Sequence, residues 1–206
     1  MIIVGVIGIG YWGPNLVRNF FSNPQTTVKA CSDLKKERLS FIRNTYPTIK
    51  TTLDYREIVN DPKIDLVAIC TPVSTHYEIA RTALGAGKHV LIEKPMTATS
   101  KQGEELINLA EKKRLKIFVD HTFLFTGAVR KMKELIVHNE IGDLYYFDSV
   151  RVNLGLFQHD VNVIWDLAPH DISIMHYLLD QQPESVVATG VSHLNGLEDI
   201  AYLTVY

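Results

Sequence analysis

Ile2-Ile-Val-Gly-Val-Ile-Gly8-Ile9-Gly10-Tyr11-Trp12-Gly13 is the stretch whose reading decides the fold of this chain. Ile2 to Ile7 is an apolar run of the kind found in strands buried on both faces. The run ends in G-x-G-x-x-G, and Trp12 to Phe21 then places Leu16, Val17, Phe20 and Phe21 at helical spacing. Such a glycine triplet alone is a weak signal and can be a plain turn. Set between a strand and a helix, it has the context of a dinucleotide-binding turn. Gly8 then permits the tight turn, Gly10 lets the backbone approach a pyrophosphate, and Gly13 lets the helix pack closely on the strand. The helix start offers N–H groups and a positive dipole end to the phosphates. Ile9, Tyr11 and Trp12 belong to the same expected cradle. No charged residue precedes Arg18, but the glycines and Pro14 interrupt the apolar run and there is no basic leader, so it reads neither as a signal peptide nor as a membrane span.

Working outward, Thr27 to Ser32 reads as a second strand, and Asp33 follows it, 20 residues after Gly13. An acid there is placed to hydrogen-bond the adenosine ribose hydroxyls. A carboxylate repels a 2′-phosphate, so NAD is the expected cofactor ahead of NADP, with Lys35 and Lys36 softening the repulsion.

Strand and helix keep alternating for about 120 residues, the pattern of a doubly wound parallel sheet with helices on both faces. Lys35 to Tyr46 reads as helix, Asp54 to Asn60 as a short helix capped by Asp54, and Ile64 to Cys70 as a central strand. His76 to Leu84 is helical and ends at Gly85 and Gly87, and His89 to Ile92 is a strand. Thr99 and Gln102 have capping-box spacing before the next helix, and Leu115 to Val119 is a further strand. After His121 the style changes. Ala128 to His138 and Asp166 to Leu179 read as helices, and Leu144 to Val152, Ser185 to Thr189 and Ile200 to Tyr206 read as strands. The expected fold class is α/β, with a partial C-terminal α+β domain on an open, mainly antiparallel sheet. Residues 1–121 form the expected dinucleotide-binding domain, and 122–206 an incomplete domain for substrate and oligomerisation. The chain stops inside an apolar strand, so a longer protein or a covering partner chain is expected.

Composition narrows the classes of function. The 206 residues carry a net charge of −2, which argues against nucleic acid or an anionic membrane as a partner bound by bulk charge. The two cysteines, Cys31 and Cys70, are too few for a disulfide framework or zinc cluster, which suits a reducing, cytoplasmic setting.

Two further stretches carry candidate chemistry. Glu93-Lys94-Pro95 follows a strand at the carboxyl edge, where ligands of parallel sheets bind. Asp166 and His170 are four apart, on one face of a helix expected to begin near Asp166 because Pro169 is best tolerated in a first turn. The helix dipole would then keep His170 neutral and available as a base. The alternative is that Asp166 is only an N-cap and His170 an ordinary helix residue. Thr71, Pro72 and His76, in Thr71-Pro72-Val-Ser-Thr-His76, are expected to lie at the cofactor. His159, Asp160, Asp166, His170 and Asp171 crowd one segment but lack a recognised metal-ligand spacing, so no metal is expected. Arg151, Asn153 and Asn162 flank this segment and are expected to touch substrate.

Gly8-x-Gly10-x-x-Gly13, Thr71-Pro72 with His76, Glu93-Lys94-Pro95 and Asp166-x-x-x-His170 together resemble the Gfo/Idh/MocA oxidoreductases, the family of glucose–fructose oxidoreductase and inositol dehydrogenase. The resemblance implies an N-terminal Rossmann domain and a C-terminal α/β domain used for substrate binding and for assembly as a dimer or tetramer. It implies that Lys94, Asp166 and His170 are catalytic, that Lys94 and His170 also touch substrate, and that Glu93, Lys94, His121 and Trp165 lie at the cofactor. Residues 162–171 and His121-Thr-Phe-Leu-Phe125 look like a branch acting on nucleotide sugars, similar to UDP-N-acetylglucosamine 3-dehydrogenases. Two alternatives stand beside it: an NADPH-linked reductase of keto-sugars or imines, and a non-catalytic dinucleotide sensor or assembly protein.

Overall fold

The computed structural model describes residues 1–152 and 161–206 of the chain, in two compact units, Met1–Asp120 and His121–Tyr206. In the first unit, strands β1 (Ile2–Ile7), β2 (Thr26–Ser32), β3 (Lys50–Thr52), β4 (Leu66–Ile69), β5 (His89–Ile92) and β6 (Ile117–Val119) form one parallel sheet in the order β3-β2-β1-β4-β5-β6. Helices α1 (Gly13–Ser22), α2 (Lys36–Thr45), α3 (Arg56–Val59), α4 (Val73–Gly85) and α5 (Ser100–Lys113) connect them. The strand order reverses between β1 and β4, and a crevice opens at such a switch point, outside the carboxyl ends of the strands.

All four β4 residues are buried, as a strand covered on both faces requires. One core cluster joins Ile7, Val67, Ile69, Val90 and Ile92 to α4 and α5, and the other joins Val4, Val6, Leu66 and Ala68 to α1 and α2. The expected capping residue of α5 is seen, with the Thr99 side chain accepting the Gln102 amide at 3.3 Å. The cap of α3 is Tyr55 rather than the expected Asp54, which accepts the Arg56 amide at 3.0 Å from one residue further out. Strand β3 was not legible: Lys-Thr-Thr has no apolar run, and only pairing with β2 at the sheet edge makes it a strand.

The second unit holds a 3-10 turn (Thr122–Phe125), helices α6 (Gly127–Val137) and α7 (Val163–Leu179), and the antiparallel pair β7 (Val186–Val191) and β8 (Ile200–Val205). Among its described residues the core is small: Val129, Ile174 and Leu178 are buried, with Phe123, Leu124, Ile136 and Phe147 packed against them. Two expectations are corrected. Residues 144–152 are not a strand; Tyr145, Tyr146, Val150 and Val152 are exposed, and alternation makes no strand without a ladder neighbour. Helix α7 begins at Val163, not near Asp166. Its cap is Asn162, whose side chain accepts the Trp165 amide at 3.0 Å, and Pro169 lies inside the helix.

Ile69 is fully buried in the central strand, with β1 on one side and β5 on the other. Ile69→Ala should therefore cost about 2–5 kcal/mol in chemical denaturation. A loss below about 1 kcal/mol would show that this strand is not the centre of the core.

Candidate functional site

The glycine turn is built by close approach. Gly8 has φ +92°, and a Cβ there would lie 2.6 Å from the Cys70 carbonyl oxygen and 2.9 Å from Thr71 Cγ2. A Cβ on Gly13 would stand 2.1 Å from the Gly8 carbonyl oxygen, so α1 is pressed against the strand end as only glycine allows. Gly10 differs. The nearest atom to a Cβ there is Arg38 Nη1 at 3.7 Å, so the turn leaves room beside its backbone. No side chain caps α1, and its first turn carries no acid. An open cradle, an uncapped helix start and a positive dipole end fit a dinucleotide pyrophosphate.

Asp33 leaves β2 beside this turn and is 7% exposed. Its Oδ2 accepts the Ile9 amide at 2.8 Å and Arg38 Nη1 at 3.2 Å, and its Oδ1 accepts the Lys35 amide at 2.8 Å. Ile9 was expected at the cofactor. The structure instead puts its side chain in the core and its amide on Asp33, so it positions the acid. Tyr11 and Trp12 are exposed on the turn, and Trp12 Nε1 donates to Asp120 Oδ2 at 3.3 Å.

The ends of β4, β5 and β6 supply the rest of this unit's site. Pro72 precedes α4, and Thr71 lies against Gly8. His76 was expected to face the cofactor, but it is 1% exposed. Its Nδ1 lies 3.0 Å from the Pro95 carbonyl and its Nε2 lies 2.8 Å from the Thr71 carbonyl. It is a strut tying the Thr71 turn to the turn after Lys94, where the Lys94–Pro95 peptide is cis. Lys94 is half-buried. Burial first, then a hydrogen bond and repulsion from Asp120, push the Glu93 carboxyl up to about 8, although the Lys94 amide and charge pull the other way. Glu93 Oε1 is buried with no hydrogen-bond partner among the described residues. Burial also pushes the Cys31 thiol up to about 12, and burial with the two nearby acids raises Cys70, so both thiols are inert.

In the second unit, α7 carries Trp165, Asp166 and His170; Asp166 lies in its first turn and shares a face with His170. His170 falls beyond that turn, so the expected dipole effect on it is weak. Its ring meets Phe123 edge-on at 4.7 Å, and the Arg151 guanidinium lies 4.9 Å over the same Phe123 ring. Arg151 grips Asp171 with Nε at 2.7 Å and Nη2 at 3.1 Å. Burial opposes ionisation of Asp171, but Arg151, the Ser149 hydroxyl and His170 outweigh it and hold the carboxyl below its ordinary range. Arg151 is thus a fixed, paired cation, and Asp171 is its partner. Asn162 was expected at the substrate, but the structure commits its side chain to the α7 cap and to Glu198 Oε2 at 3.1 Å. His121 precedes the 3-10 turn and is half-buried. Asn153, His159 and Asp160 lie outside the described residues.

Residues 2–121 match the oxidoreductase family with an NAD-binding Rossmann fold, and residues 129–206 match the GFO/IDH/MocA C-terminal domain. The chain belongs to the GFO/IDH/MocA oxidoreductase family. Among relatives of this GFO/IDH/MocA chain is the scyllo-inositol 2-dehydrogenase (NADP(+)) of Bacillus subtilis, 28% identical over 97% of the chain and 59% of that protein. The UDP-N-acetylglucosamine 3-dehydrogenase of Acidithiobacillus ferrooxidans is 27% identical over 96% of the chain and 60% of its own length. GenD2 from gentamicin A biosynthesis, solved in complex with NAD, shares the fold with a TM-score of 0.89 at 20% identity, covering 99% of the chain and 62% of that structure. The chain spans about 60% of the length of these two curated relatives. No helix among the described residues is long and apolar enough to cross a membrane.

Arg38, Asp120, Phe123 and Asp171 were not among the expected site residues. Arg38 sits five residues after Asp33 on a helix, and Asp120 follows β6, so register and strand order were the available signals. The glycine geometry separates two variants. Gly13→Ala should lower the melting temperature by several degrees, since its Cβ meets backbone. Gly10→Ala should melt within about a degree of the parent, since a methyl there meets only the end of the Arg38 side chain at 3.7 Å, yet weaken NAD⁺ binding. Equal loss of stability in both would contradict the open cradle.

Proposed function

We propose that the chain is the cofactor-binding and catalytic part of an NAD-linked dehydrogenase acting on a sugar hydroxyl, with a nucleotide sugar such as UDP-N-acetylglucosamine as the substrate. The observation that carries the reading is Asp33, held by the Ile9 amide beside an open glycine cradle, in a chain matched at both ends by one oxidoreductase family. The relative named as a UDP-N-acetylglucosamine 3-dehydrogenase supports the nucleotide sugar. The relative named as a scyllo-inositol 2-dehydrogenase supports a cyclitol as the second substrate to try.

Bound dinucleotide supplies hydride chemistry. The chain's residues supply alignment and proton handling. Asp33 addresses the adenosine ribose and disfavours a 2′-phosphate, so we place NAD ahead of NADP; Arg38 at 3.2 Å softens that preference. His170 takes the substrate hydroxyl proton, Lys94 stabilises the developing alkoxide, and Asp166, on the His170 face of α7, tunes that histidine. Arg151, fixed by Asp171, offers a preoriented cation to an anionic part of the substrate. Assembly with further copies of the chain through the C-terminal sheet, in the cytoplasm, completes the proposal.

Lys94→Ala and His170→Ala should each reduce turnover of NAD⁺ with UDP-N-acetylglucosamine about 10²- to 10⁴-fold, the usual worth of positioned acid–base help. Both should keep NAD⁺ affinity within about threefold, under 1 kcal/mol. Formation of reduced cofactor, followed by absorbance, measures the first, and calorimetric titration the second. Undiminished turnover in both variants would remove these residues from the chemistry. Turnover of scyllo-inositol alone would replace the nucleotide sugar with a cyclitol.

A further inference from the structure

Two acids leave the sheet together. Ile92 pairs with Val119, so Glu93 and Asp120 are the next residues of neighbouring strands, and the Asp120 amide donates to the Ile92 carbonyl at 2.9 Å. At these adjacent positions the two acids face each other across neighbouring strand ends, and burial together with Asp120 favours the protonated form of Glu93. Asp120 Oδ2 also accepts the Trp12 indole at 3.3 Å, tying the pair to the glycine turn. Around it stand Lys94 on the same strand end and the neutral Cys70 thiol at the end of β4. His76 of α4 turns its ring to the Thr71 and Pro95 carbonyls. The strand order says which part of a dinucleotide comes here. Asp33 at β2 takes the adenosine side of the switch point, so the nicotinamide side falls toward β4, β5 and β6. This step rests on the dinucleotide reading above.

We infer that Glu93 and Asp120 form a one-proton carboxyl pair that discriminates oxidised from reduced nicotinamide by charge. With one proton the pair carries a single negative charge, matched by Lys94. A cationic oxidised ring favours the doubly ionised pair, and the proton leaves to solvent. A neutral reduced ring offers no such compensation, and the pair keeps its proton. Asp120 is in this account a specificity residue for the oxidation state of the cofactor. The raised Glu93 carboxyl puts the switch in a useful range: its contribution to folding stability is full below about 4.5 and is lost as pH rises through about 8. Oxidised cofactor should oppose that proton retention.

The test is calorimetric titration of the whole chain with NAD⁺ and with NADH, from pH 6 to 9, in buffers of low and high ionisation enthalpy. NAD⁺ binding at pH 7 should release a measurable fraction of a proton, and NADH binding should release none. The affinity ratio of NAD⁺ to NADH should then rise with pH up to about 8, by at most about tenfold per unit, the limit for one proton. Asp120→Asn keeps the shape but removes the repelling charge; burial of Glu93 remains, so the release should fall well below the parent's and the ratio should change less with pH. Equal proton release with both cofactor forms, release unchanged in Asp120→Asn, or no release by the parent chain would each overturn the inference. Should the variant fail to fold, the parent chain's release with NAD⁺ against NADH decides alone. Failure of the folded parent to bind either form would instead overturn the dinucleotide reading on which the inference stands.

Discussion

The contact on which the first unit depends is the one between α1 and the end of β1, where a Gly13 Cβ would stand 2.1 Å from the Gly8 carbonyl oxygen. Backbone meets backbone there, and no side chain can intervene. The approach brings the helix start onto the strand end and presses Gly8 on Cys70 and Thr71, across the point where the strand order reverses. From it follow the other placements. The Ile9 amide reaches Asp33, the Trp12 indole reaches Asp120, and Gly10 is left with only the end of the Arg38 side chain nearby. A helix start with no capping side chain is then the natural receptor for an anion.

The strongly patterned parts of the first unit could be read directly from residues. β1, β4 and the glycine turn are short apolar runs bounded by breakers, and Asp33 lies at the distance from Gly13 that one βαβ unit sets. What could not be read depends on partners. β3 exists because β2 is beside it, and residues 144–152 alternate without finding a neighbour. His76 looks like a ligand in the sequence, yet it is a buried strut because α4 starts right after Pro72 and turns that position inward. Asn162 looked like a substrate contact, but an asparagine three residues before an amide it can accept is a cap, and that moved the start of α7 forward by three residues. Asp120 carried no motif at all. Only the β5–β6 register brings it beside Glu93.

The two units rest on different energetics. The first has cores on both sheet faces, the arrangement of a domain that can fold by itself. Among its described residues the second has three buried side chains and a two-stranded sheet whose β7 is exposed throughout, and its order near α7 leans on the Asn162 cap, the Arg151–Asp171 fork and the Phe123 ring held against both Arg151 and His170. Those devices are specific to side chain and geometry, as the substrate role proposed for this unit requires.

Hydrogen–deuterium exchange of the whole chain with and without saturating NAD⁺ tests the central claim most directly. New protection is expected at residues 8–16, at 33–38 and at the strand-end turns 70–76 and 93–95, with β3 and the outer face of α5 unchanged. Saturable binding that protects other segments, or an exchange pattern that NAD⁺ leaves unaltered in a folded chain, would contradict it.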